Sequence, residues 1–279
     1  MDKVPPFRND GCPELVSRRR VLRLVGGAGV AAIVGGCSTS VTEPATLASA
    51  SPTGPATTTE PDASPTAGPP PQPIAPPTPP PAAASAVLLC RDAWGARPAR
   101  TGGRPHTITR MTLHHTAVVL GDNRNITARL RQHQRYHQDE LGWIDIAYHV
   151  SVDRNGNIFE LRTPKLAGDT NTDYDPAGHF LVVCEGNFDQ EAVTEAQLHG
   201  AALAFAWAAQ TFGIASNTLA GHRDVAPATA CPGANLYAHL SSGDLKHCID
   251  DLLAAGTVNL QRVCGPDAAA TVAAIEAGH

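Results

Sequence analysis

Along RMTLHHTA (110–117), apolar Met111 and Leu113 alternate with Thr112 and His114. Side chains on a strand point to opposite faces in turn, so this run predicts a β-strand. Ile126, Leu130, His133 and His137 then recur at spacings of four, three and four, predicting a helix from a cap at Asn125 to about Glu140. IAYHVSV and NIFELR flank Asp153-Arg154-Asn155-Gly156, and Asn-Gly between β-type runs predicts a hairpin. HFLVVCEG (179–186) is a short apolar run that fits a buried strand. Thr194-Glu195-Ala196-Gln197 has capping-box spacing, and Leu198, Ala202, Phe205, Ala209 and Phe212 continue it as one apolar stripe ending near Gly213. A last helix is expected from Gly233 to about Ala254. Strands alternating with helices, plus one hairpin, predict an α/β domain: a mixed central β-sheet with helices on both faces.

The N-terminal third reads differently. SRRRVLR (17–23) precedes 13 residues without charge, Leu24–Gly36, too few to span a bilayer as a helix. A basic cluster, a short apolar stretch and small residues make a signal peptide over 1–36. SRRRVLR resembles a twin-arginine export signal and Val34-Gly35-Gly36-Cys37 a lipoprotein processing box, which would leave Cys37 lipidated at the mature N-terminus. From Ser38 to Leu89 there is no Lys, Arg or aromatic residue, and 14 of the 24 prolines lie between Pro44 and Pro81. Such a segment buries too little apolar surface to offset its ordering entropy, so 37–86 is expected as a disordered linker. A Pro-rich chain extends about 3.1 Å per residue, giving this one a reach on the order of 150 Å. The folded domain is expected over 87–262, with 263–279 a C-terminal tail. Without residues 1–36 the chain keeps 15 basic and 23 acidic residues, which argues against a nucleic-acid partner.

The chemistry concentrates in two places. His114-His115-Thr116 closes a strand, and alternation aims the two imidazoles to opposite faces. GHRDVAPATACPG (221–233) sets His222 and Cys231 in a loop of turn formers. Two histidines and one cysteine form the donor set of a catalytic zinc with its fourth position open to water. Borderline-soft Zn²⁺ accepts imidazole and thiolate together, and one thiolate leaves the site a net positive charge. The competing fate for Cys231 is a disulfide. Cys90, Cys184, Cys231, Cys248 and Cys264 are five exported thiols besides Cys37, and an odd count leaves one unpaired without saying which. His133 and His137 imitate a zincin pair, but Gln134 stands where that motif needs Glu, so a packed, hydrogen-bonded role is expected.

RDAWGARP (91–98), LHHTA, GWIDIAYHVSVDRNGNIFE (142–160), EGNF (185–188) and GHRDVAPATACPG occur in an order that resembles type 2 N-acetylmuramoyl-L-alanine amidases and peptidoglycan recognition proteins. The resemblance implies zinc held by His114, His222 and Cys231, with His115 as support. It implies that Tyr148 bonds the reacting water or oxyanion and that Thr229 helps hold the scissile carbonyl oxygen. The reaction implied is hydrolysis of the amide between the muramoyl lactyl group and L-alanine in peptidoglycan or muropeptides. A monomer is expected, anchored to a membrane only through its lipid. Three departures stand out. Eight residues separate His222 from Cys231, suggesting a bulge at Pro227. Asp169 and Asn171 stand where relatives show a different His/Asn stretch, and Val183 stands where intracellular anhydro-muropeptide amidases carry a catalytic Glu. Glu185 and Asp224 are the alternative acid/base groups, against roles as a strand-end charge and a loop cap. A non-catalytic peptidoglycan-binding module and a structural envelope tether are the competing classes; Cys231 favours the enzyme. A disulfide clasp drawn from Cys90, Cys248 and Cys264 is expected to join the domain's ends, with Cys184 a buried free thiol.

Overall fold

A computed structural model describes residues 84–279. The signal peptide, Cys37 and the linker up to residue 83 lie outside the described residues. Seven strands form one sheet: β1 (Ala84–Leu89), β2 (Arg110–His115), β3 (Val150–Val152), β4 (Ile158–Glu160), β5 (His179–Cys184), β6 (Leu219–Gly221) and β7 (Val258–Val263). Their order is β6-β2-β5-β3-β4-β1-β7, parallel throughout except for the β3–β4 hairpin. The hairpin turns at Gly156, whose φ of 83° lies in the left-handed region that an Asn-Gly turn requires. Asp153 braces it, accepting the backbone N–H groups of Asn155 and Asn157, both at 2.9 Å.

Helices cover both faces, as a parallel sheet demands. On one face lies α2 (Glu195–Phe212), capped by Thr194, whose Oγ1 accepts the Gln197 N–H at 3.1 Å. It is buried well beyond its predicted stripe, because it is sandwiched between the sheet and a later helix, Asp244–Ala255. The single helix expected after Gly233 is two, α4 (Ala234–Ser241) and α5 (Asp244–Ala255). The break falls at Gly243, with φ of 83°, which no continuous helix tolerates. Between β6 and α4 lies the one-turn helix α3 (His222–Val225). The other face is packed by Trp94, by α1 (Ile126–Arg135) and by α6 (Gly265–Ala277). The helix predicted to Glu140 changes character at Tyr136, continuing as a π-helical stretch over Tyr136–Glu140.

Both expected domain boundaries fall inside folded structure. Residues 84–86 belong to β1, and 263–279 are not a loose tail: Val263 ends β7, and Ala268, Val272 and Ile275 of α6 are buried. The clasp joins Cys90 to Cys264, and Cys248 on α5 takes no part in it. The register explains the choice: β1 and β7 pair in parallel up to Leu89–Val263, so the next residue on each strand is Cys90 and Cys264, 5.3 Å apart at Cα. Cys184 and Cys231 are free and buried. Among the described residues, no helix is long and apolar enough to cross a membrane.

Candidate metal centre and its flanking clefts

His114 and His222 stand at the C-terminal ends of neighbouring parallel strands. β2 pairs with β6 up to Leu113–Gly221, so the residues that follow, His114 and His222, stand side by side just beyond that pairing, with His114 still paired to Val183 of β5. Such carboxyl ends are where open α/β sheets place ligands. The rings are 4.6 Å apart between centroids. The chain after α3 folds back so that the Arg223 N–H donates to the Cys231 carbonyl at 2.9 Å, and the turn at Ala226–Thr229, with exposed Pro227, is closed by the Thr229 N–H to Ala226 O at 3.2 Å. That return brings Cys231 Sγ to 3.7 Å from His114 Nδ1. Ligand atoms of His114, His222 and Cys231 all lie within 4.8 Å of one another, and all three residues are buried.

These residues fit a zinc ion. Donors at Zn–S and Zn–N distances of about 2.3 and 2.05 Å and a tetrahedral angle sit about 3.6 Å apart, close to the observed sulfur–nitrogen separation. His114 Nε2 is buried without a hydrogen-bond partner. His222 Nε2 pairs with Thr172 Oγ1 at 2.7 Å, which orients the ring and leaves Nδ1 as the nitrogen free to ligate. Burial holds His222 down to about 4 and His114 well below its ordinary value, so both imidazoles stay in the neutral, ligating form. Burial pushes the Cys231 thiol up to about 12, against the His115 N–H that points at Sγ from 3.4 Å. A buried thiol of that kind needs a cation to become a thiolate.

Around this trio the other expected residues take distinct places. His115 faces the opposite core, stacked on Phe188, and its Nδ1 accepts the Phe188 N–H at 3.4 Å. Tyr148 lies over His114 at 5.0 Å between ring centroids, and burial raises its phenol pKa, keeping it a neutral donor. Thr229 Oγ1 accepts the Cys231 N–H at 3.2 Å, which leaves its hydroxyl proton for an outside acceptor. Asp224 is a loop cap: it accepts the Gly221 N–H at 2.7 Å and the Tyr237 hydroxyl at 2.6 Å. Glu185 is fully buried at the end of β5. Asp169 pairs with Arg162, and Asn171 is exposed. His137 is packed as expected, its Nδ1 accepting the Ala147 N–H at 3.1 Å, but the Nδ1 of His133 is buried without a partner. Thr172 and Tyr174 were not singled out by the sequence; no spacing marks a residue that reaches His222 across fifty positions.

Two clefts are lined by residues that contact the trio. A polar one of about 390 Å³ is lined by Arg104, Arg162, Asp169, Thr170, Thr172 and Tyr174, and reaches the centre through the Thr172–His222 bond. A less polar one of about 250 Å³ is lined by Thr116, Val118, His133, Tyr136, His137 and Tyr148, and reaches it through Tyr148.

Residues 104–234 match the Amidase_2 family model, described as N-acetylmuramoyl-L-alanine amidase. Peptidoglycan-recognition protein SC2 of Drosophila melanogaster is 29% identical over 154 residues, spanning 54% of this chain and 83% of that protein. An N-acetylmuramoyl-L-alanine amidase of Homo sapiens is 34% identical over 157 residues, which are 53% of this chain but only 26% of the human protein. The solved structure of peptidoglycan recognition protein LE in complex with tracheal cytotoxin, a monomeric diaminopimelic acid-type peptidoglycan, superposes with a TM-score of 0.51 at 26% identity, covering 56% of this chain and 93% of that one. The match holds the three candidate ligands and all of the two clefts' lining except Gly103, and excludes β1, β7 and α6. Residues 104–234 therefore form an Amidase_2 domain homologous to peptidoglycan recognition proteins and N-acetylmuramoyl-L-alanine amidases.

Proposed function

We propose that this chain is a zinc-dependent N-acetylmuramoyl-L-alanine amidase, hydrolysing the amide between the muramoyl lactyl group and L-alanine. The convergence of His114, His222 and Cys231 at the strand ends carries the reading. Relatives that bind peptidoglycan fragments support the substrate class. His114, His222 and Cys231 would hold the ion, which when bound would supply a Lewis acid for the scissile carbonyl and lower the pKa of a coordinated water toward about 7.

The chain's own groups do the rest. Thr172 fixes the His222 ring through Nε2. The His115 N–H steadies Cys231 Sγ. Tyr148, beside His114, donates its phenolic proton to the oxygen on which charge develops, and Thr229 donates its free hydroxyl proton to the same carbonyl oxygen. Preorganised donors of this kind stabilise the tetrahedral stage without reorganisation. The two clefts, lined by residues that contact His222 and His114, offer space for the substrate next to the centre. Export of the chain with residues 1–36 as signal, and anchoring by a lipid on Cys37 through the Pro-rich segment, complete the proposal: an envelope enzyme acting at some distance from its membrane.

Mass analysis of products from a defined N-acetylmuramoyl-peptide, with metal content measured on the same sample, tests the reading. Free N-acetylmuramic acid and intact peptide are expected, lost on chelation and restored by zinc. Binding of the muropeptide without cleavage by the zinc-loaded chain would leave only the recognition-module reading.

A further inference from the structure

Behind the wall of the cleft beside Tyr148 lies a buried pair that this mechanism does not use, of which His133 lines the cleft and Glu185 does not. Glu185 has no exposed surface. Ser151 Oγ donates to its Oε1 at 2.7 Å, while Oε2 is buried without a partner. Facing Oε2 at 4.0 Å is Nδ1 of His133 on α1, also buried and without a partner. Orphaned buried polar atoms are costly, and here two of them face each other. The Glu185 backbone is clamped, its N–H donating to Val152 O at 2.9 Å and its carbonyl accepting from Gln197 Nε2 at 3.0 Å. His133 is the half that can move. Its side chain is 14% exposed, and since Nδ1 is buried, it is the rest of the ring that borders the cleft.

Burial pushes the Glu185 carboxyl up to about 7 and the His133 imidazole down to about 3. His137 and Arg129 face His133, while Ser151, Arg129 and Asp153 face Glu185. Arg129 is itself engaged, donating to Gln132 Oε1 at 2.9 Å and to Val119 O at 3.4 Å. Burial keeps His133 neutral, and where Glu185 is ionised, with Ser151 donating to Oε1, a proton held on Nδ1 toward Oε2 satisfies both orphans. That tautomer leaves the Nε2 lone pair as an acceptor on the cleft side of the ring. The cleft's rim is apolar: Val118 and Tyr136, two of the three exposed large hydrophobics among the described residues, both border it. A muropeptide presents secondary amides flanked by aliphatic and sugar C–H faces, which is what an acceptor in such a cleft would hold.

We propose that His133 is a further substrate-binding residue, accepting a hydrogen bond from a secondary amide N–H of the bound muropeptide, and that Glu185 is the positioning residue that sets its tautomer. The inference rests on the amidase reading and adds a specificity contact to it. It is tested by steady-state hydrolysis of an N-acetylmuramoyl-tripeptide by the full chain, with zinc content and melting temperature recorded for each variant. Glu185→Gln is the sharp case. A glutamine keeps the Ser151 bond but presents an N–H to Nδ1, moving the proton to Nε2 and turning the acceptor into a donor. It is expected to raise KM about tenfold with kcat within about twofold, although no cleft-lining atom has been replaced. His133→Leu should raise KM by about the same factor, His133→Gln by less, and adding Glu185→Gln to His133→Leu should raise it no further. KM unmoved by Glu185→Gln and His133→Gln would overturn the inference, and so would effects that multiply in the double variant. A wild-type chain that neither binds nor cleaves the tripeptide overturns the amidase reading and this inference together. One that cleaves it with KM unmoved overturns the inference alone.

Discussion

The two ends of one sheet treat cysteine in opposite ways. At the β1–β7 edge, Cys90 and Cys264 follow paired residues of parallel strands and close on each other across 174 residues of sequence. At the β2–β6 end, the residues one step beyond the strand pair are His114 and His222, and the chain's return brings Cys231 against them. The residue type is the same, and the neighbour supplied by strand register decides between a covalent clasp and a proposed metal ligand. On the proposed reading the edge contributes stability and the other end chemistry, and the two are separable.

The largest separation should come from the clasp. Replacing Cys90 and Cys264 by Ala frees a loop of 174 residues, a loss of about 5 kcal/mol on the chain-entropy scale. For a domain of this size that is a fall of roughly 10–20 °C in melting temperature. Per-molecule activity below the transition should stay within about twofold, and a collapse in kcat of the folded variant would break the comparison. Cys231→Ser should do the reverse: activity down at least about a thousandfold, near 4 kcal/mol of transition-state stabilisation, with zinc lost and the melting temperature of the metal-free protein nearly unchanged. Activity that survives both this substitution and chelation would remove the metal reading altogether.

A smaller effect sharpens the chemistry at that end. Tyr148→Phe deletes one donor and should lower kcat about a hundredfold, near 3 kcal/mol, with zinc content intact. Equal kcat in both proteins would assign Tyr148 to packing. Smallest is a pH effect that belongs to the histidine-rich centre of the sheet. His149 is fully buried, with its pKa pushed down to about 3 by burial, and its ring bridges the Leu181 N–H at 2.9 Å and Leu166 O at 3.0 Å. The unfolded chain takes up that proton near pH 6.5 while the folded chain does not. The stabilisation is thus complete above about pH 6.5 and is lost progressively as pH falls toward 3. Between pH 7 and pH 5 the ring accounts for about 2 kcal/mol, so His149→Gln should show a shallower loss of urea stability over that range. Parallel pH curves for the two proteins would show that His149 does not titrate in this way.

The elements that the hydrophobic pattern predicted share a physical basis: each depends on contacts within a few residues. The period-two run at Arg110–His115, the Asn-Gly hairpin and the Thr194 cap are all local, and all are present. The misjudged places depend on neighbours far along the chain. Residues 84–86 and 263–279 look like linker and tail because their composition is poor in large apolar side chains. They are folded because β1 and β7 pair with each other and α6 covers Trp94. The break at Gly243 lay within a run whose helical signal hid it.

The candidate site divides along the same line. His114, His222, Cys231, Tyr148 and Thr229 could be named from sequence because the chemistry needs those residue types inside motifs that stay recognisable. Thr172 behind His222 could not, nor could the meeting of His133 with Glu185, since a hydrogen bond across fifty residues leaves no periodicity. The sequence by itself determined the α/β class and which side chains were available for metal chemistry. Only the tertiary structure decided which cysteines are close enough to bond and which histidines converge. It also decided which buried polar atoms are left facing each other, because parallel strand register and cleft walls join residues between which the chain carries no local signal.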